Sequence, residues 1–138
     1  MEPLHKLPVS RLLNALKTHP DFPQSGPVTD AELVIQATLA AFSVTRSDLL
    51  SSSKEPSIAR PRIFAMATLY ELGQNSKISL AQVGRVFGNR DHGAVIHARR
   101  RLPQLCRRCS HFAATVQTLR DALGLPPISS QISVKTLI

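Results

Sequence analysis

SLAQVGRVFGNRDHGAVIHARRRL, residues Ser79 to Leu102, decides how the rest of the chain is read. Ser79 suits a helix N-cap. Leu80, Val83 and Phe87 follow at the i, i+3, i+7 spacing of a buried helical stripe. Gly88 and Asn89 both tolerate positive φ and predict a turn. Asp91 is a second N-cap, and Val95, Ala98 and Leu102 repeat the same spacing behind it. That leaves His92, Gly93, Ile96, His97, Arg99 and Arg100 on faces open to a ligand. A helix, a short turn and a basic helix make the helix-turn-helix arrangement. Its second helix enters the major groove of duplex DNA and offers its N-terminal residues to base edges.

Charge supports that reading. The chain carries a formal net charge of +8. Between Arg85 and Arg108 there are seven arginines and a single acid, Asp91, so this short segment holds most of the excess. Solvated helical faces usually interleave acids with bases, and this one does not. A localised positive field draws polyanions: nucleic acid first, an anionic membrane surface second.

The 138 residues fit one domain with tails, and a hydrophobic content of 43% supports a real core. With 4% aromatic residues and no Trp, that core is aliphatic. Strand-like alternation is scarce, so the expected fold is all-α, a helical bundle. Pro3, His5, Lys6 and Pro8 interrupt any apolar leader, and no run approaches the roughly 20 apolar residues of a spanning helix. Two cysteines three apart make no disulfide framework, which predicts reduced thiols and a cytoplasmic protein; with DNA as the expected partner it would be nucleoid-associated, and no membrane partner is expected.

Working outward, Val9 to Lys17 places Leu12, Leu13 and Leu16 at helical spacing behind Ser10. This short amphipathic helix fits packing on the domain ahead of self-association. Thr18 to Val28 holds Pro20, Pro23, Gly26 and Pro27 and predicts a linker. Thr29, with Glu32 three residues on, matches a capping box opening a helix to about Phe42. Thr45 caps a one-turn helix, Arg46 to Leu50, and SSSKEPS (Ser51 to Ser57) is a polar loop whose only base is Lys54. A long helix is predicted from about Ile58 to Asn75, with Pro61 in its first turn and the turn GQNSK at its end. Pro103 is expected to start a last helix, which carries Leu105, Phe112, Val116, Leu119 and Leu123 and stops at Gly124. Pro126 to Ile138 has no helical periodicity. The organisation expected is thus an N-terminal segment of residues 1–28, a domain of residues 29–124 and a tail of residues 125–138.

Other chemistry finds little support. Cys106-x-x-Cys109, with His111 nearby, is half of a zinc site without its second half, so no metal and no cofactor are assigned. Asp91 and His92 diverge on a helix, His92 and His97 share no face, and no nucleophile has a base beside it. The chain does not read as an enzyme.

Ala59-Arg60-Pro61-Arg62, Leu80 to Gly84, Phe87-Gly88-Asn89-Arg90-Asp91-His92 and Val95-Ile96-His97-Ala98 together resemble the C-terminal DNA-binding domain of the bacterial replication initiator DnaA. The similarity extends from about Val34 to Leu123. The resemblance implies a Trp-repressor-like helical domain that recognises a short duplex element, the DnaA box. It implies that Asp91 and His92 contact base edges, that Arg62 lies at the DNA surface, and that Lys54 occupies the basic-loop position from which the family enters the minor groove. Arg60, Arg90, His97 and Arg100 would support phosphate contacts, with Gly93 and Arg99 beside them. The chain departs from the family at Gly93-Ala94, where two threonines are common, at Ile63, where a polar residue often stands, and in its thinned basic loop. Gly88 to Ala94 has the glycine spacing of a phosphate loop but Ala94 where Lys is required. The expected function is therefore sequence-specific binding of double-stranded DNA, in replication initiation or its regulation, by a module without the initiator's ATPase. The alternative is a protein-interaction module that kept the fold and lost DNA reading, with the resident replication initiator or a second copy as partner.

Overall fold

The computed structural model describes residues 27–126. The predicted helix at Val9 to Lys17, most of the linker and nearly all of the tail lie outside these residues. Six α-helices and one short 3-10 turn make up the described part, with no strand among them. They are α1 (Pro27–Phe42), α2 (Arg46–Leu50), α3 (Pro56–Leu72), α4 (Leu80–Val86), α5 (His92–Arg108) and α6 (Ser110–Ala122); the 3-10 turn, Gly73–Ser76, follows α3. The fold is the expected all-α helical bundle.

α3 is the centre. Phe64, Ala65, Thr68 and Leu69 are fully buried, and Met66 and Ala67 lie close behind. It packs chiefly on α5 and on α1, so the apolar stripe of each neighbour finds a partner. Val34 and Ala37 come from α1, Val83 from α4, Val95, Ala98 and Leu102 from α5, and Val116 and Leu119 from α6. Among the described residues, the Phe42 ring lies 5.9 Å from that of Phe64 and 5.7 Å from that of Phe112.

Local signals fixed several boundaries as expected. Thr45 and Asp48 form a reciprocal capping box on α2, and Ser79 does the same with Gln82 on α4. Gly124, at φ +76, ends the last helix. Its N–H donates to the Asp121 carbonyl at 3.1 Å, and that of Leu125 to the Arg120 carbonyl at 2.8 Å, the paired bonds of a Schellman motif.

Three proline-related expectations are corrected. α1 begins at Pro27, two residues before Thr29, because Pro is well suited to a first helical turn. α3 begins at Pro56, with Glu55 as its cap, so Pro61 lies inside the helix. Pro103 also lies inside a helix: α5 runs unbroken from His92 to Arg108, and the next helix starts only at Ser110. Each internal proline removes one i→i−4 hydrogen bond. Both are buried, and the packing of α3 against α5 holds the two helices through them.

Cys109 supplies the break after α5. Its backbone is extended and its Sγ accepts from the Phe112 N–H at 3.4 Å, capping α6. Cys106 is buried, and burial pushes its thiol up to about 11. Since the thiolate is the nucleophile, iodoacetamide at pH 8 is expected to modify Cys109 and to spare Cys106 until the protein is unfolded. Mass-spectrometric mapping of the labelled peptides checks this; equal labelling of both thiols in the native protein would contradict it.

Arg120 is a feature whose partners no local sequence signal gives. It is fully buried on α6, yet each nitrogen of its guanidinium has an acceptor. Nη1 and Nη2 donate to the Glu71 carboxylate at 2.7 and 3.0 Å, and Nε donates to the Pro126 carbonyl at 2.8 Å. One cue exists in hindsight: Arg120 falls among Val116, Leu119 and Leu123, in the apolar stripe of its own helix.

Candidate nucleic-acid interface

α4 and α5 meet at a tight corner. Gly88 and Asn89 adopt φ +80 and +60, as a left-handed turn requires. Gly84 lies inside α4, fully covered by the start of α5, and a Cβ there would overlap the Arg90 carbonyl oxygen. The Arg90 N–H donates to the Gly84 carbonyl at 2.8 Å, locking the corner.

Asp91 then caps α5, its Oδ1 accepting from the Ala94 N–H at 3.0 Å. The 17-residue helix is about 25 Å long at 1.5 Å per residue. Val95 and Ala98 are fully buried and Leu102 nearly so, so the predicted inward stripe is the observed one. Asp91, His92, Gly93, His97 and Arg100 are all exposed. On a helical wheel Gly93, His97, Arg100, Gln104 and Arg107 fall on one outward line. This line carries no acid, and its basic end lies about 22 Å from His92.

Arg99 is displaced from that line. It is exposed, but its guanidinium carbon sits 4.6 Å from the centre of the Tyr70 ring, a cation–π geometry. With Ile96 and Arg100 it borders a groove of about 930 Å³ between α3, α4 and α5, floored by Ala67, Leu80 and Pro103.

Lys54 and Arg60 are exposed, Lys54 in the α2–α3 loop and Arg60 in the second turn of α3. Arg62 is not where the resemblance implied. Its placement at the DNA surface is corrected: Arg62 is 6% exposed. Its Nε donates to the Leu49 carbonyl at 2.9 Å, Nη1 to Ser53 at 2.8 Å and Nη2 to Asp48 at 3.2 Å. The reason is direction: two positions after the exposed Arg60, Arg62 projects from the opposite side of α3 and faces the polar loop. Arg90 is half-buried, and its guanidinium donates to the carbonyls of Phe87 and Ser51. Burial lowers both guanidiniums from their ordinary value, and the charge of Arg90 lowers Arg62 further.

The sequence-predicted residues thus divide, with Lys54 and Arg60 exposed on the α2–α3 side and Arg99 turned to the Tyr70 ring. Asp91, His92, Gly93, His97 and Arg100 share the outer surface of the corner, while Arg62 and Arg90 lie beneath it. No helix among the described residues is long and apolar enough to cross a membrane. Among the same residues no group of three or more His, Cys, Asp or Glu is placed to hold a metal ion.

Residues 31–102, just over half of the chain, match the family described as the bacterial dnaA protein helix-turn-helix. The match takes in the central helix, the tight corner and the first half of α5, the same elements that build the exposed basic surface. The chain belongs to the helix-turn-helix family of the bacterial DnaA protein and carries its DNA-binding domain.

Proposed function

We propose that this protein binds duplex DNA sequence-selectively, with α5 in the major groove at DnaA-box-like sites, and acts there in replication initiation or its regulation. The observation that carries the reading is the outer surface of α5. Five sequence-predicted residues are exposed together at its N-terminal half, and Asp91, the one acid near them, is held in place by its cap bond. A carboxylate at Asp91 accepts hydrogen bonds only, which suits the amino group of cytosine, while Arg100 and His97 suit phosphates. Arg60 and Lys54 add cations to the flanks. The working unit in this reading is residues 29–124, with the Schellman motif at Gly124 as its C-terminal stop. Sharing sites with the resident replication initiator would make the protein a regulator or competitor of that initiator at the nucleoid.

Selection from a random duplex library with the purified protein tests the proposal directly. A DnaA-box-like motif is the expected product. With roughly five to seven phosphate contacts, log affinity should fall with log salt at a slope of about −4 to −6. His92→Ala should cost about 1–3 kcal/mol on the selected site and flatten the preference, whereas Arg100→Ala should weaken all duplexes alike. At Asp91 the informative change is to Asn, which keeps the cap and alters the acceptor set. Equal binding of every duplex by the wild type and by His92→Ala would sink base reading. The absence of any salt-dependent binding would instead favour a protein-interaction module.

A further inference from the structure

The loop between α2 and α3 is held by side chains that come from far along the chain. Arg62 reaches back from α3 to three carbonyls, those of Asp48, Leu49 and Ser53. Its Nη2 also approaches the Ser51 hydroxyl at 3.4 Å. Arg90 reaches from the helix-turn-helix corner and joins the Phe87 carbonyl of the corner to the Ser51 carbonyl of the loop. Gly88 presses on the same run of backbone, since a Cβ at this position would overlap the Leu50 carbonyl oxygen. The backbone from residue 48 to residue 53 is therefore gripped from α3 and from the corner at once.

The loop's exposure follows from this grip. Ser51 and Ser53, whose carbonyls are held, are half-buried, while Ser52 and Lys54 between and beyond them are exposed. Lys54 is the loop's only base. The residue after Arg90 is Asp91, the cap of α5. The guanidinium of the residue next to Asp91 thus links the loop bearing Lys54 to the corner from which α5 starts.

Two cations lie close enough for one to disfavour the other, and their hydrogen bonds go to backbone carbonyls and the Ser51 hydroxyl rather than to a carboxylate. Burying like charges close together is costly unless hydrogen bonds satisfy them, and here the carbonyls of the loop and the corner do so. Fixed, multidirectional hydrogen bonding to several carbonyls is a task that Arg performs and Lys does not.

We infer that Arg62 and Arg90 are positioning residues that lock the Lys54 loop to the helix-turn-helix corner, so that Lys54 and the N-terminal end of α5 engage one duplex as a single rigid surface. This rests on the DNA-binding reading given above. Lys54 touches the nucleic acid; the two arginines act through it and through α5.

A double-mutant cycle on the selected duplex tests this, with Lys54→Ala, Arg90→Gln and the double variant of the full chain compared by fluorescence anisotropy. Lys54→Ala alone should weaken binding roughly threefold to tenfold and lower the salt slope by about 1. In the Arg90→Gln background, Lys54→Ala should weaken binding by less than about twofold and leave the slope unchanged, because the loop is no longer held in register. A role in stability alone would lower the melting temperature but leave the Lys54 effect intact in both backgrounds, and that result overturns the inference. So does an absent Lys54 effect in the wild type. If Arg90→Gln does not fold, Arg90→Lys takes its place, since it keeps the charge but cannot bridge both carbonyls. Wild-type binding with its His92 dependence is measured in the same series. Failure there overturns the DNA-binding reading itself, whereas additivity with normal wild-type binding overturns only the coupling.

Discussion

Glu71→Ala should lower the stability of the domain by about 3–5 kcal/mol, the cost of leaving one member of a buried ion pair alone. The two partners are unequally buried: the Arg120 side chain is 1% exposed and that of Glu71 28%. Removing the carboxylate leaves a guanidinium in the core with the Pro126 carbonyl as its remaining described acceptor. Removing the guanidinium leaves a carboxylate that water can still reach. Arg120→Met should therefore cost less than Glu71→Ala, although it deletes the larger side chain. The double variant Glu71→Leu, Arg120→Met should recover much of the loss, because replacing a buried pair by apolar groups of similar volume is often neutral or better. Urea titrations followed by circular dichroism, with the m value checked for constancy, measure all three. A Glu71→Ala protein within about 1 kcal/mol of wild type would show that the pair is not a keystone of the fold.

This pair marks the boundary of what could be read from the chain. The corner was legible because its determinants are local. Ser79 and Asp91 cap helices through residues three positions away, and Gly88 and Asn89 adopt the positive φ that their side chains permit. The inward stripes of α4 and α5 were legible for the same reason, since periodicity needs nothing beyond the segment itself. Arg120 and Glu71 are 49 residues apart, and Arg90 and Ser51 are 39 apart. No spacing rule couples such positions, so their partners emerge only from the packing of α3 against its neighbours. The two internal prolines failed for a related reason. Local preference ends a helix at the residue before a proline, and tertiary packing overrides that preference at Pro61 and Pro103.

Arg62 shows the same limit at the site itself. Its position in Ala59-Arg60-Pro61-Arg62 identified the family correctly, but motif membership says nothing of direction. Arg60, exposed, and Arg62, 6% exposed, differ by two positions on a helix, about 200° of rotation. One faces out and the other faces the α2–α3 loop. The motif is therefore split between a surface cation and an internal clamp.

Gly84→Ala should cost about 1–3 kcal/mol of stability and reduce DNA affinity at least tenfold, more than the unfolded fraction alone explains. Gly84 is where α4 touches the residues that begin α5. An added Cβ would overlap the Arg90 carbonyl oxygen, lie 2.9 Å from its carbonyl carbon and 3.2 Å from the Asp91 carbonyl oxygen. All three are backbone atoms, so no rotamer change relieves them. Relief requires the Arg90–Asp91 segment to move away from α4, which weakens the Arg90 N–H bond to Gly84 and shifts the cap of α5. The displaced elements are the Arg90 clamp and the Asp91–His92 end of the helix, so base contacts suffer before the helix itself is lost. Gly93 provides the contrast. It is exposed, and a Cβ there meets only the Asp91 carboxylate, at 3.3 Å, so Gly93→Ala should stay within about 1 kcal/mol of wild type in stability. Comparing the two substitutions by thermal melts and by anisotropy on the selected duplex separates the roles of these glycines. A Gly84→Ala protein that kept both its stability and its affinity would mean that the start of α5 is free to move without consequence for reading DNA.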